Sequence, residues 1–597
     1  MSNRLRTPLR PLARILHARQ TGGNPDLIER ENIRRRHEAL RDDWRVMAEQ
    51  RLLLAACVCL LVFGLVGVRM WAIASEPVAE PVAAVSDARI DAARADIVDR
   101  EGRVLATNLV SHSLYAQPPL MTEPERSAAE LARIFPDLDE ARMRDWFTGE
   151  RKFLWLKRRI SPEQMQAVHD IGDPGLQFGP REMRLYPNGA LAAHILGGTG
   201  FGREGVQSAE LIGVAGVEKA FNARLSDPAT ASTPLALSID LTVQAVVEDV
   251  LASGMRLMNA KGAAAVLMDV HTGEIIAKAS LPDFDPNSRP RPLTQGDQGD
   301  SPLFNRAVQG VYELGSSFKI FTTAQALELG LVSPETMLDT TSPMTWGRFR
   351  IRDFRNYGPE LSVTDVIVKS SNVGTARLAL QIGGARQKDF LEQLGFLAPT
   401  PVEMIEAPGA VPLWPSNWSD IHTMTISYGH GISTSPLHLA AGYASLLNGG
   451  TKVTPTLLRQ DAPVKGPRVV SERTSRISRE MLHAVVERGT ASFGRIEGYA
   501  IGGKTGTADK PRAAGGGYYD DKVIATFASV FPADDPEYVL VVTLDEPVET
   551  SGEEPRRTAG WTAVPVSAEI TRRILPLLGL RPTVEYLGDP EITLVSD

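Results

Sequence analysis

A run of 17 residues without a charged side chain, 52–68, constrains the fold of this 597-residue chain more than any other feature. Continued past Arg69 to Ala74, the run reaches 23 residues, or roughly 34 Å of helix, which is enough to cross a bilayer when the Arg69 side chain extends toward the headgroups. A buried core helix and a cleaved signal peptide are the alternatives, but the run is long for a signal peptide and 51 residues precede it. We therefore predict a transmembrane helix over residues 52–74.

The charges on the two sides of this run differ in sign. Twelve arginines and seven acidic residues precede it, whereas Glu76, Glu80 and Asp87 follow it before the next basic residue, Arg89. Because positive flanks stay in the cytoplasm, we predict a basic cytoplasmic tail over residues 1–51 and a single-pass topology with the rest of the chain outside. The net charge of −8 provides no global basic field, so no nucleic-acid partner is expected.

The sequence gives no support for a metal or a cofactor. The two cysteines, Cys57 and Cys59, both lie in the apolar run, which excludes a disulfide framework and a thiolate metal site elsewhere in the chain. No H-E-x-x-H or other spaced set of histidines occurs. The glycines at 515–517 lack the Lys-Ser/Thr pair of a phosphate-binding loop. We therefore predict neither a metal nor a cofactor.

Composition divides the outer part of the chain into a linker and two domains. Residues 75–93 are rich in Ala, Pro and Val and indicate a linker, and residues 94–230 form a mixed region with short strand-like runs. A small polar stretch at 227–234 leads into a larger domain at 231–580, which a short tail at 581–597 follows.

The larger domain has strand patterns at both ends and helix patterns between them. Apolar runs separated by turn residues predict hairpins over 263–280 and 523–544. Apolar spacing predicts helices over, for example, 318–329 and 437–447. Strands from distant segments that share one sheet, with helices between them in the chain, indicate an α/β (α+β) fold.

Three short motifs in this domain carry the chemistry. In chain order they are Ser316-Ser317-Phe318-Lys319, Ser370-Ser371-Asn372 and Lys504-Thr505-Gly506-Thr507. The first opens a predicted helix, and the third directly precedes a predicted hairpin. Each motif alone is weak evidence, but S-x-x-K, S-x-N and K-T-G together resemble the signature set of the penicillin-binding enzymes and serine β-lactamases.

The spacing within the first motif suits an activated serine. Ser316 and Lys319 are three residues apart, so at the start of a helix they share a face and can form a hydrogen bond. A serine hydroxyl is a weak nucleophile until a base takes its proton, and a lysine can do so where burial and a neighbouring cation, here Lys504, lower its pKa. The N–H groups of Ser316 and Thr507 are the candidates for an oxyanion hole. His430 is interpreted as a loop or core residue, because the lysines already supply acid–base chemistry.

Nearly the whole chain resembles the class B penicillin-binding proteins. The matching segments of the smaller domain are R-A-D-I-V-D-R-E-G at 94–102, R-L-Y-P at 184–187, H-I-L-G at 194–197 and G-V-E-K at 216–219. Those of the larger domain include 269–273, 285–287 and 305–307. Ala95 and Leu314 stand where the family usually has glycine and proline, but neither difference removes a reacting group.

The resemblance implies a pedestal domain followed by a penicilloyl-serine-transferase domain, whose central antiparallel sheet has helices on both sides. It implies that Ser316 attacks a stem peptide of the cell wall, or a β-lactam, and that an amine of a neighbouring stem peptide resolves the acyl-enzyme. The implied roles are a base for Lys319, a proton relay for Ser370, contact with the substrate backbone for Asn372, electrostatic tuning for Lys504, and carboxylate binding for Thr505 and Thr507 on either side of Gly506.

Segments 428–432, 435–437 and 489–491 are most similar to the division-specific, FtsI-like branch of this family. That branch implies septal wall synthesis from the inner membrane and a periplasmic catalytic domain. It also implies other divisome membrane proteins as partners, with an FtsW-like (SEDS-type) glycan polymerase docked on the pedestal and membrane helix. Charged pedestal residues such as Arg184 and Glu218 are expected to serve this docking. An elongation-type transpeptidase, and a β-lactam-acylated hydrolase or sensor on the same scaffold, remain alternatives.

Overall fold

The structure, a computed structural model, describes residues 10–75, 94–201, 211–463, 466–512 and 516–583. The chain divides into two compact units, Met1–Arg89 and Ile90–Asp597. Nearly all of the predicted linker at 75–93 and most of the predicted tail at 581–597 lie outside the described residues.

The described part of the first unit consists of helix α1 (Leu12–Gln20) and helix α2 (Pro25–Ser75). Helix α2 begins at a proline after Asn24, whose side-chain oxygen accepts a hydrogen bond from the Asp26 N–H at 3.0 Å, a common way to start a helix. Its segment Arg51–Met70 is 20 residues long, has a mean hydropathy of 2.5 and is not buried in the protein. The segment is long and apolar enough to cross a membrane, and it lies where the transmembrane helix was predicted.

The first part of the second unit is the smaller domain, built on strands and short helices. The strands are β1 (Ile97–Val98), β2 (Val104–Ala116), β3 (Leu154–Ile160), β4 (Leu176–Leu185), β5 (Gly198–Phe201), β6 (Leu211–Ala215) and β7 (Leu235–Ala236). The helices are α3 (Pro124–Ile134), α4 (Glu140–Thr148), α5 (Pro162–His169), α6 (Ala193–Leu196), α7 (Gly216–Ala220) and α8 (Asn222–Leu225). Strand β2 pairs antiparallel with β1, β3 and β4, and β1 pairs parallel with β7. Helices α3, α4 and α5 cover one face, where Leu131, Phe147 and Val168 share a core with Leu114 of β2.

A buried ion-pair cluster joins the family motifs of this domain. Glu218 is completely buried and accepts hydrogen bonds from Arg94 Nε at 2.7 Å and Arg184 Nε at 2.6 Å. The Tyr186 hydroxyl donates to the same carboxylate at 3.3 Å. The expectation that Arg184 and Glu218 serve a docking surface is therefore wrong, because both side chains are paired inside the fold, where a lone charge is unfavourable.

The larger domain completes the unit. Its strands are β8 (Gly262–Asp269), β9 (Ile275–Leu281), β10 (Met337–Asp339), β11 (Met344–Trp346), β12 (Phe349–Ile351), β13 (Glu360–Ser362), β14 (Gly502–Pro511), β15 (Tyr518–Phe531) and β16 (Tyr538–Asp545). Its helices are α9 (Leu241–Leu257), α10 (Lys319–Glu328), α11 (Val363–Val368), α12 (Asn372–Ile382), α13 (Gly384–Gln393), α14 (Asp420–Ser427), α15 (Pro436–Leu447), α16 (Glu472–Arg488) and α17 (Ala563–Ile574).

The central sheet of this domain has the antiparallel order β14-β15-β16-β8-β9. Successive residues of a strand face opposite sides. Along β8, Ala265 and Leu267 belong to the core that includes residues of α9 and α17, whereas Val266 and Met268 belong to the core that includes residues of α15. Burial on both faces explains why the strand reads as one continuous apolar run.

The fold predicted from the sequence is confirmed. The hairpins expected over 263–280 and 523–544 are β8–β9 and β15–β16, and the helices expected over 318–329 and 437–447 are α10 and α15. The two ends of the domain's sequence meet in one sheet because β16 pairs with β8.

The two domains share a core where they meet. Ile97 and Val217 of the smaller domain belong to the same buried cluster as Val266 of the central sheet. Arg100 also forms an ion pair with Glu274 at 3.2 Å. The residues from Ile90 onward therefore form one compact unit, and the domain boundary at 230/231 stays a prediction.

Candidate active site

Ser316 lies in a 3₁₀ turn, Gly315–Phe318, that leads directly into α10. Gly315 has a φ of +56°, and a Cβ at this position would lie 2.7 Å from the carbonyl oxygen of Thr507. Glycine is the residue that tolerates both this backbone conformation and this close approach. The turn therefore holds the half-buried Ser316 against strand β14 at the edge of the central sheet.

Lys319 and Lys504 converge on Ser370. The Lys319 Nζ donates to the Ser370 carbonyl oxygen at 2.5 Å and to its Oγ at 3.1 Å, and the Lys504 Nζ donates to the same Oγ at 3.0 Å. Ser370 has a φ of +62°, an uncommon conformation for a residue with a Cβ, which persists only where the surroundings impose it. Three segments that are distant in the sequence thus meet within hydrogen-bond distance.

Both lysines are completely buried, and burial changes their acid–base behaviour. Burial, together with the positive charge of Lys504, lowers the pKa of Lys319 well below its ordinary value. Burial lowers the pKa of Lys504 to about 7. The Asp353 carboxylate acts in the opposite direction and raises the pKa of Lys319. Lys319 therefore loses its proton far more readily than an exposed lysine and is suited to act as a base.

Asp353 holds the second motif in place. Its Oδ1 accepts hydrogen bonds from the backbone N–H groups of Asn372 at 2.6 Å and Val373 at 3.0 Å, and its Oδ2 accepts one from the Ser371 hydroxyl at 2.7 Å. The carboxylate thus satisfies N–H groups that the start of α12 leaves unpaired. The Asn372 side-chain NH₂ donates to the Arg352 carbonyl oxygen at 2.8 Å, and its side-chain oxygen has no hydrogen-bond partner among the described residues.

The third motif lies at the start of β14. A Cβ at Gly506 would lie 2.1 Å from the carbonyl oxygen of Leu314, so a side chain at 506 would push the strand away from the Ser316 turn. Thr505 Oγ1 lies 2.7 Å from Thr490 Oγ1. When Thr490 donates in this pair, the Thr505 hydroxyl proton is available for a bound anion.

Thr507 completes the motif. Its hydroxyl oxygen accepts a hydrogen bond from the Ala559 N–H at 3.0 Å, which leaves the Thr507 hydroxyl proton available as well. Together with Lys504, the two threonines can present hydroxyl donors beside a buried cation. This combination suits a carboxylate.

The structure brings the sequence-predicted site residues together, with one difference in pairing. Ser316 and Lys319 are neighbours, but Lys319 donates to Ser370, and a direct hydrogen bond between Ser316 and Lys319 is not formed in the described structure. Asp353 and Thr490 were not predicted as site residues. Neither lies in a motif whose spacing indicates its contact; Thr490 belongs to one of the family-like segments, which gave it no role.

Two further titratable residues near the site, His430 and Glu313, contact other groups of the protein. His430 lies in the loop after α14, with its Nδ1 3.5 Å from Glu313, which agrees with the loop role predicted for it. Glu313 also accepts hydrogen bonds from the Gly431 N–H at 2.7 Å and the Tyr518 hydroxyl at 3.1 Å. Among the described residues, no group of three or more His, Cys, Asp or Glu side chains is arranged to hold a metal ion.

Comparison with known proteins identifies both domains. Residues 263–571 match the penicillin-binding protein transpeptidase domain, and residues 89–228 match the penicillin-binding protein dimerisation domain. The chain is 34% identical over 513 residues to the probable peptidoglycan D,D-transpeptidase FtsI of Caulobacter vibrioides, which covers 83% of each chain. It is 30% identical over 531 residues to the peptidoglycan D,D-transpeptidase FtsI of Escherichia coli, which covers 84% of this chain and 86% of that one.

Solved structures agree with the sequence relatives. Penicillin-binding protein 3 of Mycobacterium tuberculosis in complex with aztreonam is 26% identical, with a TM-score of 0.63, and covers 84% of this chain and 98% of its own. The Ser316 turn, the Ser370 loop and the start of β14 all lie within the matched transpeptidase segment, 263–571. The chain therefore belongs to the class B penicillin-binding proteins, in the FtsI-like group.

Proposed function

We propose that this protein is a peptidoglycan D,D-transpeptidase that cross-links stem peptides through an acyl-enzyme on Ser316 during septal wall synthesis. The observation that carries the proposal is that Lys319, three residues after Ser316, and Lys504 both donate a hydrogen bond to the Ser370 hydroxyl. Relatives named peptidoglycan D,D-transpeptidase FtsI support the substrate class. The aztreonam and ampicillin complexes of a structural relative support β-lactams as ligands of this protein.

Acylation begins at the penultimate D-Ala of a donor stem peptide. Ser316 Oγ attacks the carbonyl carbon while its proton passes to the neutral Lys319 Nζ. The N–H groups of Ser316 and Thr507 stabilise the oxyanion. The bond to the terminal D-Ala nitrogen then breaks, and that amine takes a proton through the Ser370 hydroxyl, which both lysines contact. The products are an ester on Ser316 and free D-Ala.

Resolution of the acyl-enzyme reverses these transfers. An amine of a neighbouring stem peptide attacks the ester and releases a proton through Ser370, and Ser316 Oγ recovers a proton as the ester bond breaks. During acylation the donor's terminal carboxylate is held by the hydroxyls of Thr505 and Thr507 beside Lys504. Gly506 keeps the strand close to the serine turn, and the free side-chain oxygen of Asn372 accepts a substrate N–H.

Labelled penicillin tests the assignment. The wild-type protein in membranes should take up the label, Ser316→Ala should take up none, and peptide mapping by mass spectrometry should place the adduct on Ser316. An adduct on Ser370 or Ser371 would overturn the assignment. A stem-peptide assay with an acceptor amine then separates the alternatives, because a transpeptidase forms a cross-linked product whereas a hydrolase or sensor forms only the free acid or nothing.

The proposed location is the inner membrane, with the N-terminus in the cytoplasm and the catalytic domain in the periplasm. The apolar segment Arg51–Met70 and the excess of arginine before it support this topology. A reporter fused after residue 90 should be active only outside the cytoplasm. A mature chain that begins near Ser75 would show instead that the segment is a cleaved signal.

An FtsW-like glycan polymerase is the proposed partner of the dimerisation domain and membrane helix. The support is the similarity to FtsI proteins, which also favours division over elongation. Depletion of this protein should produce filaments in a rod-shaped host, whereas an elongation enzyme should produce rounded cells. Co-purification of the full chain with the polymerase, lost when the membrane helix is exchanged for an unrelated one, is the expected result.

A further inference from the structure

A basic hairpin, residues 344–355, lies beside the active site. It consists of β11, β12 and the segment that follows them. Its arginines are all exposed and form no ion pair with a described residue; they are Arg348, Arg350, Arg352 and Arg355. Its one acidic residue, Asp353, is occupied by the start of α12. Four arginines and one aspartate give the segment a formal charge of +3 within a chain of net charge −8.

The hairpin is firmly anchored by its inner face. Met344 pairs with Ile351 across β11 and β12, and both are buried in a small core with Val373 and Ala376 of α12. The outward residues are therefore presented from a fixed backbone. A fixed surface loses less conformational entropy on binding than a mobile loop does.

Exposed aromatic side chains lie among the arginines. Phe354 is 78% exposed, and Trp346 and Phe349 are also exposed. The Arg348 guanidinium lies 5.1 Å from the Phe349 ring centre, and that of Arg355 lies 5.8 Å from the Phe354 ring centre. Exposed aromatic residues next to arginines are characteristic of binding surfaces.

The hairpin is hydrogen-bonded to the second catalytic motif. The Arg352 carbonyl oxygen accepts a hydrogen bond from the Asn372 side chain at 2.8 Å, and Asp353 contacts the backbone of the same residue. A ligand that lies along the outer face of β12 therefore ends beside the Ser370 loop. This position favours a substrate over a lipid surface as the occupant.

We propose that the basic hairpin binds the glycan strand that carries the reacting stem peptides, through the carboxylates of those peptides. Arginine matches a carboxylate with two parallel hydrogen bonds, and an unpaired positive surface attracts an anionic polymer from a distance. Phe354 and Trp346 supply apolar faces for the rest of the strand. This inference rests on the proposed transpeptidase function and extends it to a polymer-binding surface outside the reacting groups.

The test measures binding by the full chain in nanodiscs of neutral lipid, in a Ser316→Ala background that cannot react. The probe is a labelled, uncross-linked glycan strand with its stem peptides. R348E/R350E should weaken binding about tenfold or more, and Phe354→Ala should weaken it about threefold. The matched control R386E/R473E changes two other exposed arginines that form no ion pair with a described residue, and it should stay within about twofold of the parent.

Two further probes decide the nature of the ligand. Strands stripped of their peptides should bind the parent as weakly as intact strands bind R348E/R350E. Phosphatidylglycerol vesicles should not compete with the strand for binding to the protein. The proposal would be overturned if R348E/R350E bound the strand as well as its parent, or if R386E/R473E lost as much binding as R348E/R350E. It would also be overturned if stripped strands bound the parent as well as intact strands, or if R348E/R350E lost binding to the vesicles but not to the strand. Failure of penicillin to acylate Ser316 would instead overturn the proposed function, because the binding assay does not depend on that serine.

Discussion

Asp353 Oδ1 lies 2.6 Å from the backbone nitrogen of Asn372, the first residue of α12. The same carboxylate accepts a hydrogen bond from the Ser371 hydroxyl, and its negative charge raises the pKa of Lys319. A residue outside the three motifs therefore positions the second motif and acts on the base of the first. Substitution of Asp353 therefore tests both its hydrogen bonds to the second motif and its effect on the pKa of Lys319.

Asp353→Asn should slow acylation of Ser316 by penicillin roughly 10- to 100-fold, because charge-assisted hydrogen bonds of about 1.5–3 kcal/mol each become neutral ones. Removal of the negative charge should also lower the pKa of Lys319 further. The base then becomes neutral at a lower pH, so the acidic limb of the rate–pH profile should move to lower pH. The measurement is the second-order acylation rate constant as a function of pH.

The exposed carboxylate of Asp389 on α13 provides the control, because Asp389→Asn removes the same charge away from the site. Its profile should match that of the wild type. A shift of the Asp353→Asn profile toward higher pH would contradict the assigned electrostatic role.

Thr490→Val should weaken binding of the substrate carboxylate. The substitution keeps the side-chain shape and removes the hydroxyl that lies 2.7 Å from Thr505 Oγ1. Loss of one hydrogen bond of about 1 kcal/mol should lower the specificity constant for a stem-peptide substrate roughly fivefold, mainly through KM. Thr490→Ser keeps the hydroxyl and should retain most of the wild-type specificity constant. Equal effects of the two substitutions would indicate a packing role for Thr490 instead.

Sequence patterns predicted the parts of the site that lie within short motifs. Ser316 and Lys319 are three residues apart, and a glycine precedes the serine where the turn requires φ of +56°. The geometry of this turn therefore depends on residues that are adjacent in the sequence. The hairpins were predictable for the same reason, since apolar runs and the turn residues between them are local signals.

Long-range contacts were not predictable in this way. Asp353 reaches Ser371 and Asn372 only because β12 folds back over the start of α12, and no local pattern specifies that packing. The burial of Glu218 was not predictable either, because a charged residue is expected at the surface until its buried partners, here Arg94 and Arg184, are known. Tertiary pairing decides such positions, and a single sequence does not display it.

Glu218→Gln should destabilise the dimerisation domain by about 3–5 kcal/mol, because it leaves the buried guanidinium groups of Arg94 and Arg184 without their counter-charge. The measurement is thermal unfolding of the full chain. Glu140→Gln removes one partner of an exposed ion pair with Arg144 and should change stability by about 0.5 kcal/mol or less. Similar effects of the two substitutions would contradict the buried-cluster interpretation. A search for a docking surface should use exposed residues of this domain.

Lys504→Met should inactivate the enzyme yet stabilise the fold near neutral pH. Burial lowers the pKa of Lys504 to about 7 in the folded protein, whereas a lysine in the unfolded chain has a pKa of about 10.4. Between these values the unfolded chain binds a proton that the folded protein does not, so wild-type stability rises with pH by up to about 1.4 kcal/mol per pH unit from this residue. Methionine removes that pH dependence together with the desolvation penalty.

The stabilisation by Lys504→Met should therefore be largest at pH values up to about 7 and should shrink as the pH approaches the unfolded pKa of about 10.4. The lost hydrogen bonds to Ser370 and Thr505 reduce the gain at every pH and do not change this trend. Melting temperatures of the full chain across this range measure it, with Lys388→Met, a change at an exposed lysine of α13, as the control. A gain that does not shrink as the pH rises would contradict the lowered pKa of Lys504 in the folded protein.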